Sequence, residues 1–350
     1  MGVTSQPVKA VPPAGRWGEA ISAAGPGRKE EYVGSKTAWF KECGWGVFTH
    51  YLTAVETAAD EWNRQVDSFD VRRLADRLEE MRAPYYFITL GQISGHYCAP
   101  SETYDAIVGI RPSKCSRRDL IADVAAALEP RGIRLMVYLA SEGPGRDVAA
   151  REALGWRGNH WTELEPGRDV VATWPDKRQR AFQVSWERVI REWSQRWGRK
   201  VSGWWVDGCY HRKLFYEHAE APNFASLAGA FKAGNADAVI AFNPGVFVPV
   251  IRCTEHDDYT AGEVACALPA DPGVGSSEAV GGAQYHILSY LGTRWGKGPA
   301  RFPDALAAGY TSYVVGSGGV ITWDVPIEKD GNIPEPFLRQ LAAIGDAAPA

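Results

Sequence analysis

The sequence predicts an α/β protein built as a (β/α)₈ TIM-type barrel, on three observations. Short apolar runs alternate with amphipathic stretches from residue 39 onward, the signature of βα units around a buried parallel sheet. About eight such runs fall within some 300 residues, which suits a closed barrel better than an open sheet. The glycine-rich fingerprint of a dinucleotide-binding fold is missing, and "GSGG" at 316–319 precedes a strand instead of opening a helix.

Residues 1–36 are rich in Gly, Pro and charge and read as an extended lead-in; 37–350 read as one catalytic domain. The strands expected are "GWGVFTHY" (44–51), "YYFITLG" (85–91), "RLMVYLA" (134–140), "VSGWWVDG" (201–208), "AVIAFNP" (238–244), a weak one at "DDYTAGE" (257–263), one near 285–290, and "GGVITWDV" (318–325). Between them, "FDVRRLADRLEEMR" places Val71, Leu74, Leu78 and Met81 three or four apart, which is helical spacing. "RRDLIADVAAALEPRG" and "DKRQRAFQVSWERVIREWSQRWG" repeat the pattern, the latter stopping at Gly198 as a C-cap. The chain ends with the helix expected to close the barrel, so no C-terminal β-sandwich is expected.

The composition is that of an ordinary globular chain, with 45% hydrophobic residues, 23% charged residues and a net charge of −4. It has no basic block or basic amphipathic stretch, so neither nucleic acid nor a membrane is expected as partner. The N-terminus has no apolar signal core, and a cytoplasmic location is the expectation. Six cysteines form no CxxC pair, and free buried thiols are expected in preference to metal knuckles. His211 and His218 stand seven apart with no third ligand at metal-type spacing, so no metal and no cofactor are expected. Fourteen tryptophans serve either as large core residues or as flat faces for stacking on sugars.

In a barrel the chemistry sits where strands end. The polar residues at those ends are His50, Gln92, Ser141, Asp207, Asn243 and Glu263. Asp207 follows Trp204, Trp205 and Val206 and precedes Gly208. A carboxylate there either caps the next loop or carries the chemistry. Paired with Glu263, it could cleave a glycosidic bond with retention, one carboxyl attacking the anomeric carbon and the other serving as acid and then base.

Several segments taken in order resemble the α-L-fucosidases of glycoside hydrolase family 29: "GWGVFTHY", "DEWN", "RRDLIADVAAALEPRGIRLMVYLASE", "WWVDG" and "GGVITWDVPIEKDGNIPEPFLRQLAAIG". They run from about residue 39 to 345. The resemblance implies Asp207 as nucleophile and Glu263, downstream of Arg252, as acid/base. It implies His50 and Glu61 as holders of sugar hydroxyls, Trp62 and Trp205 as aromatic neighbours of the sugar, and Trp295 at the entrance, with Arg252 among the substrate-binding side chains. The departure is "GQISGHYC", where the family carries a paired His-His-Asp-Gly-Phe element. Gln92 and Ile93 stand at the histidine positions, and His96 is the nearest replacement. The expectation is thus a retaining exo-glycosidase resembling α-L-fucosidase, with glycone preference shifted from fucose. Its partner is a carbohydrate substrate, with a homo-oligomer also allowed for. The alternative is a non-catalytic or differently reactive sugar-binding barrel.

Overall fold

The computed structural model describes residues 36–160, 163, 174–265, 267–269 and 280–348; the lead-in expected at 1–36 lies almost wholly outside the described residues. Seven parallel strands form one curled sheet: β1 (Trp45–Thr49), β2 (Tyr85–Gly91), β3 (Arg134–Ala140), β4 (Val201–Asp207), β5 (Val239–Phe242), β6 (His286–Tyr290) and β7 (Val320–Val325). Their order is β5-β4-β3-β2-β1-β7-β6, so the first and last strands of the chain pair, as closure into a barrel requires. Helices predicted from periodicity appear at Val71–Glu80, Leu120–Leu128 and Arg180–Trp197, the last capped by Gly198.

Side chains alternate across the wall as strand geometry demands. Phe48, Phe87, Met136, Tyr138, Trp205 and Leu288 fill the interior, joined from below by Phe40 of the short helix Ala38–Cys43. Their strand neighbours, such as Val47, Ile88, Val137, Trp204, Ile287 and Trp323, pack outward against the helices. No helix among the described residues is long and apolar enough to cross a membrane. Cys43, Cys98, Cys115, Cys209 and Cys253 are free thiols.

The strand expected at 257–263 is not one, and the sheet has seven strands among the described residues instead of about eight. The segment nevertheless lies between the two sheet edges. On one side the Asp258 amide donates to Ile240 O (2.8 Å), while the Asp258 and Asp257 carboxylates accept from the Ile240 and Phe242 amides at 2.9 and 2.8 Å. On the other, Thr260 N donates to Gln284 O (3.0 Å) and Leu288 N to Gly262 O (2.9 Å). Tyr259 and Ala261 join the interior cluster. Toward β5, carboxylates supply two of these three contacts, so no regular pairing develops there.

Gly262 is what lets this segment approach β6. Its φ is +61°, and a Cβ there would stand 1.9 Å from His286 O, which backbone cannot accommodate. Gly262→Ala is expected to cost about 2–3 kcal/mol and to displace the adjoining Glu263. Thermal unfolding checks this: a drop of several degrees is expected, and an unchanged Tm would contradict the close approach.

Candidate active site

The strands deliver their C-terminal residues to one cavity of about 870 Å³, whose lining includes His50, Gln92, Ile93, Tyr138, Glu142, Trp205, Asp207, Tyr210, Glu263 and Trp295. Asp207 ends β4, and the chain turns at Gly208 with φ +82°. That turn aims the Gly208 amide back at Asp207 Oδ1 (2.8 Å), which also accepts from Tyr210 OH (2.9 Å) and Asn243 Nδ2 (3.0 Å). The other oxygen, Oδ2, accepts a short hydrogen bond from Tyr138 OH.

Asn243 directly follows β5 and is fully buried. Its Nδ2 donates a second bond, to Glu263 Oε2, at 2.6 Å. One amide nitrogen therefore spans both carboxylates. The two carboxylates are thereby held close together, facing one amide nitrogen. Burial, reinforced by the charge of Asp207, pushes the Glu263 carboxyl up to about 7 against the opposing pull of Asn243 and His50.

Aromatic rings build the floor. Trp205 stacks on Tyr138 at 5.3 Å, with its indole N–H donating to Ala261 O (2.9 Å). Gln92 Nε2 donates to Tyr138 OH at 2.6 Å, so Tyr138 is held by Gln92 while it donates to Asp207. His50 ends β1, with Nδ1 3.0 Å from the buried Asp324, which also accepts from the Gly296 amide. Burial raises the Asp324 carboxyl, and His50 opposes the shift. Trp295 lies 5.9 Å from the His50 ring and 4.7 Å from Tyr290. Glu61 reaches the cavity only at its exposed rim, 3.8 Å from Lys329.

Three expected sugar contacts do not reach the cavity. Trp62 is 1% exposed in the core, its indole donating to Tyr97 O (3.0 Å), because Ala59, Trp62 and Val66 form the inward stripe of the helix Ala59–Asp67. His96 is buried and turned to Thr57 O (2.9 Å); burial lowers its basicity. Arg252 spends its guanidinium on backbone carbonyls of Gly281, Glu255 and Asp257, as a clamp on the 252–257 turn.

Conversely, Tyr138, Tyr210 and Glu142 were not singled out from sequence. Tyr138 carried a usable signal: it shares the inward row of β3 with Met136, one step below the strand end. Glu142 is 2% exposed and pairs with the buried His160 at 3.1 Å, a partner 18 residues away that no local pattern announces. Among the described residues no group of three or more His, Cys, Asp or Glu is arranged to hold a metal ion.

No protein-family model matches this chain, and no curated protein matches it. Solved structures do. The endo-fucoidan hydrolase P5AFcnA from glycoside hydrolase family 107 superposes with a TM-score of 0.63 at 14% identity, over 89% of this chain and 92% of that one. The family 107 endo-fucoidan hydrolase MfFcnA4 gives 0.67 at 18% identity; this chain spans about half of it, 53%, with 89% of its own length covered. The α-L-fucosidase AlfC from Lactobacillus casei, in complex with α-L-fucose product, gives 0.58 at 16% identity, over 89% of this chain and 97% of that one. These likenesses show that the chain shares the fold of those glycoside hydrolases, an α/β fold whose curled parallel sheet is consistent with a TIM-like barrel.

Proposed function

We propose that this protein is a retaining exo-glycosidase, with Asp207 as nucleophile and Glu263 as acid/base. The observation that carries the reading is the Asn243 amide, whose one nitrogen bonds to both carboxylates; a close carboxyl pair is what double displacement needs. The two environments also split the roles. Asp207 accepts from four donors, which fix its orientation toward the cavity as a nucleophile's must be. Glu263, raised to about 7, retains its proton near neutrality and can donate it. The structural neighbours, an endo-fucoidan hydrolase and an α-L-fucosidase by name, support glycoside hydrolysis.

In this mechanism Asp207 Oδ2, which carries one hydrogen bond where Oδ1 carries three, bonds to the anomeric carbon as the bond to the leaving oxygen breaks. The Glu263 proton passes to that oxygen. Glu263 then takes a proton from water, whose oxygen bonds to the anomeric carbon and releases Asp207. Asp324 engages His50 Nδ1, leaving Nε2 for a sugar hydroxyl.

The glycone is proposed to differ from plain α-L-fucose. Of the two positions that hold histidines in the resembling family, Gln92 is engaged with Tyr138 and Ile93 lines the cavity as an apolar wall. His96 is turned away to Thr57. Two missing hydrogen bonds to sugar hydroxyls weaken a fucosyl transition state by about 1–3 kcal/mol, or roughly five- to a hundred-fold. A panel of nitrophenyl α-L-fucoside, β-D-galactoside, α-L-rhamnoside and arabinoside tests both proposals. Hydrolysis is expected, with kcat/KM for another glycone exceeding that for α-L-fucoside. Cleavage of α-L-fucoside alone would contradict the shifted preference, and no cleavage of any glycoside would favour a binding protein. Exo-action predicts a monosaccharide as the first product from longer glycans.

A further inference from the structure

Residues 244–251 read "PGVFVPVI", and no side chain among them carries a hydrogen-bonding atom. Val246, Phe247 and Val248 are 52, 44 and 65% exposed. Three consecutive apolar side chains in water are a liability unless something covers them in use. The run is also not scattered at random over the surface. Together with Tyr210 it supplies four of the eight large exposed apolar side chains found among the described residues.

Its position ties it to the carboxylates. The residue before the run is Asn243, bonded to both Asp207 and Glu263. Two residues on, Gly245 has φ +107° and lies against the Tyr210 ring, which a Cβ there would meet at 3.5 Å. Tyr210 lines the cavity and sends its hydroxyl to Asp207. The apolar strip thus follows in the chain directly on the residue that contacts Glu263, and its Gly245 lies beside Tyr210, which lines the cavity.

We propose that Tyr210 and the 246–248 strip form the subsite for the leaving group, and that this aglycone is an apolar, ring-sized group instead of a second sugar. The inference rests on the reading of Asp207 and Glu263 as the glycosidase pair. The acid protonates the departing oxygen, so the leaving group lies toward Glu263 and its neighbour Asn243. A second sugar would bring several hydroxyls onto a strip with no side-chain donor or acceptor, and desolvating them unpaired is unfavourable. An apolar ring loses nothing there and gains by covering Phe247 and its neighbours.

The test compares three substrates of one glycone, the one the panel prefers: its 4-methylumbelliferyl glycoside, its glycosyl fluoride, whose leaving group is too small to reach the strip, and a disaccharide. In Phe247→Ala, kcat/KM for the aryl glycoside relative to the fluoride is expected to fall about ten-fold, through KM. Leu306→Ala, an exposed apolar residue on the helix Asp304–Gly316, should keep the wild-type ratio. Fluoride turnover with an unmoved ratio in Phe247→Ala overturns the subsite. So does a change confined to sedimentation mass, which would make the strip a contact between copies of this chain. An equal ten-fold loss on the disaccharide overturns the apolar assignment. No turnover of any substrate, fluoride included, overturns the glycosidase reading and this inference with it.

Discussion

Asp207→Ala is expected to lower kcat by roughly four powers of ten, equivalent to a barrier higher by about 5–6 kcal/mol, while the protein stays folded. The effect is this large because no other carboxylate can take the position: Gly208, Tyr210, Asn243 and Tyr138 all aim their donors at this one group. Removing it leaves those donors to water from the open cavity, at a stability cost of about 1–3 kcal/mol. Azide entering the vacated space should partly restore turnover. It would yield a glycosyl azide of inverted anomeric configuration, because one displacement replaces two. Steady-state kinetics and proton NMR of the product check this; ordinary turnover by folded Asp207→Ala would remove Asp207 from the chemistry.

The second large effect belongs to Glu263. Glu263→Gln is expected to lower kcat/KM by about a hundred- to ten-thousand-fold for substrates with poor leaving groups, and far less for a glycosyl fluoride, which needs no proton. The pH profile carries the sharper signature. Burial and the Asp207 charge raise the Glu263 carboxyl to about 7, and the first step needs it protonated. The rate should therefore hold below that value and fall as pH rises through it. Glutamine cannot titrate, so the alkaline limb near 7 should vanish in the variant. An unchanged limb would assign it to another group.

Much of this arrangement is legible in the sequence, for physical reasons that also mark where legibility stops. Parallel strands buried on both faces are near-continuous apolar runs, so β1 to β5 and β7 stand out, and the barrel rule then selects Asp207, Asn243 and Glu263. The 257–263 segment reads as a strand because Tyr259 and Ala261 do face the interior. Its irregularity comes from Asp257 and Asp258 bonding to β5 through side chains, which no periodicity encodes. The Ala59, Trp62, Val66 spacing marks a core stripe, and that is where Trp62 lies, away from the sugar-side position the resemblance implies. His96 and Arg252 were unreadable, since their partners are backbone carbonyls brought near only by loop folding. Asn243 shows the same limit in reverse. Its place at a strand end is visible, but its bridging of two carboxylates depends on β4, β5 and the 257–264 segment meeting in space.

Double displacement requires that Asp207 become covalently glycosylated during turnover. It is tested most directly by incubating the protein with the 2-deoxy-2-fluoroglycosyl fluoride of its preferred glycone and locating the adduct by peptide mass spectrometry. One fluoroglycosyl group per chain is expected, on Asp207 in the "VSGWWVDG" strand, formed as activity is lost. An adduct on Glu263, Glu142 or any other residue would contradict it.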